Sequence, residues 1–317
     1  MKIFITGIAG MIGFHTAKKL LSEGHEVAGV DNMNSYYDPK LKQSRLDLIY
    51  AAGMPKKNFM FNSIQKLEWS SILEDFDVVI HLAAYANPRH SIEDPSEYVD
   101  TNINGTQKLI DGAERSKTPV VFASSSCVMH GQPLPWNETD KGEKQNNPYG
   151  WSKYVNECQF AHSKVIKSAG LRFFTAYGPY GRPDMALFKF TKGIIEQTPI
   201  DIYNNGDMIR DFTYVEDIVQ GILLVTMNLC NEQEDGTHEI FNIGRGQKVK
   251  LMDFVDHIEY NLERKAIRNY CPMHPADTPA TWSDTTKIQK LGYKPTTSID
   301  VGVRKFVEWY KEYYEVN

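Results

Sequence analysis

Short apolar strands alternate with amphipathic helices up to about residue 175, and that alternation restricts the fold more than any other feature of the chain. The segments Lys2–Thr6, Glu26–Asp31, Val78–Leu82, Val120–Ser124 and Leu171–Thr175 read as strands, with helices running to Gly24, near 95–115 and near 149–168. Strands joined through helices pair in parallel, and a parallel sheet needs helices on both faces to bury it. An α/β fold with a doubly wound parallel sheet is predicted. Beyond it the periodicity weakens and prolines become frequent (Pro179, Pro183, Pro199, Pro272, Pro275, Pro279), which predicts a smaller C-terminal lobe. Asp211–Val225 is expected to return to the main sheet.

Composition removes several classes of function. Of 317 residues, 41% are apolar and 24% charged, which is ordinary for a globular chain. A net charge of -5 leaves no basic excess to meet a phosphate backbone, so nucleic acid is not expected as a partner. The longest apolar runs, such as Val78-Val79-Ile80, fall far short of the ~20 residues that cross a bilayer, so no membrane segment is predicted. Met1-Lys2-Ile3-Phe4-Ile5 lacks a small-residue cleavage site and reads as a first strand, not a leader. Cys127, Cys158, Cys230 and Cys271 are scattered without metal-ligand spacing, so no metal is expected and the reducing cytoplasm is the predicted compartment.

Gly7, Gly10 and Gly13 form Gly-x-x-Gly-x-x-Gly between the first strand and a helix carrying Ile12, Ala17, Leu20 and Leu21. Glycine there permits a tight turn and lets backbone N–H groups approach a pyrophosphate at the positive end of the helix. The same residues would also serve only to pack strand on helix. Asp31 ends the second strand, where a dinucleotide fold places the acid that binds the adenosine ribose. Its charge repels a 2′-phosphate, so NAD is predicted over NADP. As part of the turn-like Asp31-Asn32-Met33-Asn34 it would have a local role instead. The reading is thus a Rossmann-like domain over 1–178, rejoined by 205–228, and a substrate-binding lobe from 179–204 and 229–317.

Tyr149 and Lys153 stand four apart at the start of a predicted helix and project from one face. A free tyrosine titrates near ~10, but a nearby ammonium and a cationic nicotinamide both favour the phenolate. Tyr149 then takes a proton from a hydroxyl as hydride leaves. A solvated surface pair has the same spacing.

The motifs together resemble those of an extended short-chain dehydrogenase/reductase, in the nucleotide-sugar epimerase and dehydratase branch. They are Thr6-Gly7, His81-Leu82-Ala83-Ala84, Asn102, Ser124-Ser125-Ser126, Pro148-Tyr149-Gly150-Trp151-Ser152-Lys153 and Arg210-Asp211-Phe212-Thr213-Tyr214-Val215-Glu216-Asp217. The resemblance implies that Ser125, three before Val128, assists Tyr149 and Lys153, although Val128-Met129-His130-Gly131 leaves Ser126 as the other register. It implies an NAD site made of Gly7, Gly10, Met11, Ile12, Gly13, Asp31, Asn32, Asn34, Ser63, Ile64, Leu82, Ala83, Ala84, Asn102, Ser124, Tyr149 and Lys153. Ser63 stands in place of the family's usual acid. Cys127 stands where dehydratases and uronate decarboxylases of the family carry glutamate, an extra acid/base that epimerisation does not need.

Within that branch the sequence is similar to UDP-glucuronate 4-epimerases, through Asp31-Asn32-Met33-Asn34-Ser35-Tyr36-Tyr37-Asp38-Pro39 with Leu41-Lys42 and Arg45-Leu46, Tyr177-Gly178-Pro179-Tyr180-Gly181-Arg182-Pro183-Asp184-Met185-Ala186, and His274-Pro275-Ala276-Asp277-Thr278-Pro279-Ala280-Thr281. The resemblance implies that Arg182 and Thr175 hold the sugar carboxylate near Ser126 and Cys127, that Arg210 binds diphosphate and Tyr203 stacks on uracil, and that Arg89 and Asp277 face the nucleotide. A guanidinium fork suits a carboxylate; a solvated Arg182 and a core Tyr203 are the alternatives. The activity implied is NAD-dependent 4-epimerisation of a UDP-hexuronic acid through a 4-keto intermediate, in a homodimer joined through the helices near 95–115 and 149–168. A UDP-hexose epimerase, a 4,6-dehydratase, a uronate decarboxylase and a non-catalytic NAD-binding sensor are the rivals.

Overall fold

The computed structural model describes residues 1–316. Its strands are β1 (Lys2–Thr6), β2 (Glu26–Asp31), β3 (Phe59–Phe61), β4 (Val78–His81), β5 (Val120–Ser125), β6 (Ser168–Phe173), β7 (Thr175–Tyr177), β8 (Ile200–Tyr203), β9 (Ile209–Arg210), β10 (Phe212–Tyr214), β11 (His238–Ile243), β12 (Val249–Lys250) and β13 (Arg268–Cys271). Its helices are α1 (Met11–Ser22), α2 (Pro39–Ala51), α3 (Trp69–Leu73), α4 (His90–Glu93), α5 (Thr106–Ser116), α6 (Pro148–His162), α7 (Ala186–Glu196), α8 (Val215–Asn231), α9 (Leu251–Leu262), α10 (Thr286–Gln289) and α11 (Ile299–Tyr314). Seven strands form one parallel sheet in the order β11-β6-β5-β4-β1-β2-β3.

The sheet follows from its residues. Ile3, Phe4 and Ile5 of β1 and Val78, Val79 and Ile80 of β4 have no exposure, the unbroken apolar run of strands covered on both faces. α1 buries Met11, Phe14, Ala17 and Leu20, a helical stripe laid on the sheet. α2 opens on Pro39 with the Asp38 carboxylate accepting from Lys40 N, and this start turns Lys42 and Arg45 inward. α6 opens in the same way, with Pro148 in its first turn and the Asn147 side chain accepting from Gly150 N at 2.8 Å. That cap sets the phase on which Tyr149 and Lys153 face the sheet. The lobe has its own core, where Phe212 stacks on Phe254 at 4.0 Å and Phe188, Phe306 and Trp309 meet edge to face or tilted.

Several elements differ from the sequence reading. α2 and β3 occupy a stretch whose mixed polar residues carry no clear period. The helix near 95–115 is π-helical over Tyr98–Gly105 before α5 begins, and the helix near 149–168 stops at His162, which lets β6 start at Ser168. Asp211–Val225 adds no strand to the main sheet, although its helix packs Ile218, Val219, Ile222 and Val225 into the core that covers that sheet. Its strand β10 pairs with β7 in a sheet of two, and Val215 already begins α8. The strand that returns is β11, from the stretch read as lobe, paired with β6 from His238↔Ser168 to Ile243↔Phe173. α8 is the crossover that a parallel edge strand requires. Among the described residues no helix is long and apolar enough to cross a membrane, and no group of three His, Cys, Asp or Glu is placed to hold a metal.

Candidate active site

A cavity of about 360 Å³ opens at the C-terminal ends of the strands, where a doubly wound sheet places its ligands. Gly7, Gly10, Met11, Ile12, Gly13, Asp31, Asn32, Asn34, Ser63, Ile64, Leu82, Ala83 and Ala84 line it, together with Ser124, Ser125, Ser126, Cys127, Tyr149, Lys153, Thr175 and Arg182. Residues read separately as cofactor, catalytic and carboxylate groups therefore share one wall.

Gly7 and Gly13 are sterically required. Gly7 has φ +69°, and a Cβ there would lie 2.8 Å from Ala83 N; at Gly13 it would lie 2.3 Å from Gly7 O. Packing and binding coincide, because the same close approach leaves α1 starting at the cavity with no side-chain cap. Its first N–H groups are free to meet an anion. Asp31 also serves both readings: it accepts from Met33 N at 2.9 Å and Ala9 N at 3.2 Å, and still borders the cavity. Thr6 accepts from Leu82 N and Ala83 N, so its own proton goes to His81 Nδ1, and His81 Nε2 then donates to Thr106. Burial holds this histidine neutral, down to about 3.

Lys153 is buried and Tyr149 half-buried, and both line the cavity. Burial pushes the Tyr149 phenol up to about 12, Cys127 adds to that, and a hydrogen bond from Ser125 and the charge of Arg182 pull the other way. Ser125, one of the two candidate serines, pulls the phenol down; its hydroxyl also accepts from Cys127 N. Burial lowers Lys153 to about 7, and its ammonium donates to the Ala123 carbonyl at 2.9 Å. One of the three ammonium protons is thus held by β5, and two remain for other partners.

Asn102 stands behind the wall and not in it. It is fully buried and binds the backbone of Tyr85 in both directions and the Ser152 hydroxyl, which fixes the loop after β4. Arg89, Tyr203, Arg210 and Asp277 form a second cluster outside the cavity lining. Arg89 pairs with Asp277 at 2.8 Å and lies 3.7 Å over the Tyr203 ring, while Arg210 donates to the carbonyls of Ile209 and Pro279. Arg182 is inside, but its fork grips Asp184.

The sequence reading assigned no role to Lys42, Arg45, Tyr36, Asn87 or Asp184. Lys42 donates to Asn34 at 2.8 Å and lies 3.8 Å from Asp31. Arg45, with no exposure, joins Ala9 of the glycine turn to Tyr180 through their carbonyls. The signal for both was their three-residue spacing on one face of α2; no such signal marks Asn87 or Asp184, which loops carry to the site.

A glycine turn at a bare helix end, an acid closing β2 and a Ser/Tyr/Lys set on the same cavity define a dinucleotide-binding enzyme. The chain belongs to the NAD dependent epimerase/dehydratase family, whose profile matches residues 3–244. It is 37% identical to a probable UDP-glucuronate 4-epimerase of Rhizobium meliloti (strain 1021), over 99% of this chain and 98% of that protein. It is 36% identical to UDP-glucuronate 4-epimerase 1 of Arabidopsis thaliana, over 100% of this chain and 78% of that one. The crystal structure of UDP-glucuronic acid 4-epimerase from Bacillus cereus in complex with UDP-glucuronic acid and NAD superposes with a TM-score of 0.92 at 30% identity, covering 99% of this chain and 100% of that chain.

Proposed function

We propose that this chain interconverts UDP-glucuronate and UDP-galacturonate by epimerisation at carbon 4, with NAD as its cofactor. The observation that carries the reading is one cavity shared by the glycine turn, Ser125 and Tyr149, and the carboxylate candidates Thr175 and Arg182. Likeness to UDP-glucuronate 4-epimerases along nearly the whole chain supports the same sugar.

The residues fit a dinucleotide: the glycine turn leaves no room for a Cβ, the end of α1 is uncapped, and Asp31 offers its carboxylate to a ribose. NAD, when bound, supplies the acceptor and donor for the hydrogen on carbon 4 and a positive charge near Tyr149. Ser125 orients the carbon-4 hydroxyl, and Tyr149 takes its proton and later returns it. A flat 4-keto sugar must turn over between the two transfers, so the protein has to hold UDP while leaving the ring free. We assign the first task to Arg89, Tyr203, Arg210 and Asp277, which bring two guanidinium groups and an aromatic face together beside the cavity. Cys127 gives no help to a further reaction. Burial raises its thiol and keeps it neutral, which disfavours loss of water or carbon dioxide from the 4-keto sugar.

A homodimer through α5 and α6 is part of the proposal. Trp151, Tyr154, Val155 and Cys158 fall on one outward stripe of α6, beside Ile110 of α5, and Trp151 is 43% exposed. Sedimentation should give twice the chain mass, and Trp151→Glu should give a monomer; a monomeric wild type removes this part. The four cysteines are free, which suits the cytoplasm proposed for the chain.

Incubation with UDP-glucuronate, read by NMR, tests the function. UDP-galacturonate is the expected product. Carbon dioxide would make the chain a decarboxylase, and unchanged substrate with tight NAD binding would make it a sensor.

A further inference from the structure

One carboxylate joins three loops of the site. Asp184 accepts from Arg182 Nε at 2.9 Å and Nη2 at 2.5 Å, from the Tyr36 hydroxyl at 3.1 Å and from Asn87 Nδ2 at 2.7 Å. Tyr36 follows β2, Asn87 follows β4, and Arg182 and Asp184 follow β7. Arg182, Tyr36 and Thr175 line the cavity, whereas Asp184 lies behind them. The guanidinium edge built from Nε and Nη2 meets a carboxylate at two points, and here Asp184 already holds it. Nη1 donates to the Ala86 carbonyl at 3.0 Å. An ion pair of this kind has no net charge, so a second carboxylate arriving from the cavity meets a neutralised arginine.

We propose that Asp184 is an internal stand-in for the sugar carboxylate: a specificity-determining residue that occupies the Arg182 fork until an acidic sugar takes it. The proposal rests on the uronate reading above. Asp184 is placed to give Arg182 up, because the Tyr36 hydroxyl and the Asn87 amide remain as donors when the guanidinium turns to the sugar. Separation from the guanidinium leaves Asp184 the cost of an unpaired carboxylate, and the two hydrogen bonds that persist offset part of it, as the new Arg182–sugar pair offsets the rest. A neutral hexose presents no anion, so it leaves the Arg182–Asp184 pair closed. The competition also weakens binding of the acid, since each bound uronate has displaced a carboxylate already in place.

Asp184→Asn keeps the shape and removes the competing charge. With the NAD-loaded protein, titration of UDP-glucuronate and of UDP-glucose gives an affinity ratio of acid over neutral sugar. The ratio should rise about tenfold in the variant, the worth of one charge-assisted contact. A ratio that stays level or falls overturns the stand-in. If the variant fails to fold, the wild type decides: the Arg182 Nε–H resonance should move on adding UDP-glucuronate and stay in place with UDP-glucose. A resonance unmoved by UDP-glucuronate contradicts the exchange. Failure of the uronate reading shows separately, as no UDP-galacturonate from the wild type.

Discussion

Lys153 carries a charge in a place that disfavours it. Burial brings its pKa to about 7 from the usual 10.5, so the folded chain releases a proton that the unfolded chain keeps. Stability must then rise with pH between those two values, because the unfolded state binds more protons there, and it is poorest below about 7. For protein freed of NAD, the melting temperature of the wild type relative to Lys153→Met should climb from about pH 7 to about pH 9. A constant difference across that window would show that Lys153 is not buried as described. Ser125 sets a second expectation. Its hydroxyl pulls the Tyr149 phenol down and is proposed to orient the carbon-4 hydroxyl, so Ser125→Ala should lower kcat roughly tenfold to a hundredfold, the worth of a hydrogen bond to a charged group. Ser126→Ala should cost less; the reverse order in steady-state rates would move the register by one. Either register was open in the sequence, since three adjacent serines differ only in which face of the strand end they meet.

The element that matters most is α6, and a buried ion pair holds it. Glu157, one turn beyond Lys153, takes both arms of Arg172 from β6 at 2.8 and 2.9 Å and accepts from Ser124 of β5 at 2.6 Å. Both partners are buried. Removing one strands the other, which typically costs about 3–5 kcal/mol. Glu157→Gln should therefore lose about 3 kcal/mol in urea unfolding with NAD removed; a loss within experimental scatter would mean that packing, not the pair, holds the helix. At this scale the sequence was most legible. Strands buried on both faces have unbroken apolar runs, so β1, β2, β4 and β5 stand out, and the Asn147-Pro148 start of α6 is a local signal. β11 did not stand out. It is an edge strand whose first three residues, His238, Glu239 and Ile240, are only half-buried, and its partner β6 is 70 residues away along the chain.

Across the whole molecule, the catalytic and glycine motifs lie within short stretches and were readable as such, while the substrate side is assembled from distant loops. Arg182 was legible as a guanidinium near a sugar; that Asp184, two residues on, holds its fork depends on how Tyr36 and Asn87 converge from two other strand ends. What the fold achieves by bringing these loops over one cavity is a site where carbon 4 loses and regains the same hydrogen. UDP-glucuronate carrying deuterium at carbon 4, turned over in ordinary water, tests this most directly. The account predicts UDP-galacturonate with the deuterium still on carbon 4, since Tyr149 exchanges only the hydroxyl proton and the carbon-bound hydrogen never meets solvent. UDP-galacturonate that has lost the label to water would contradict it.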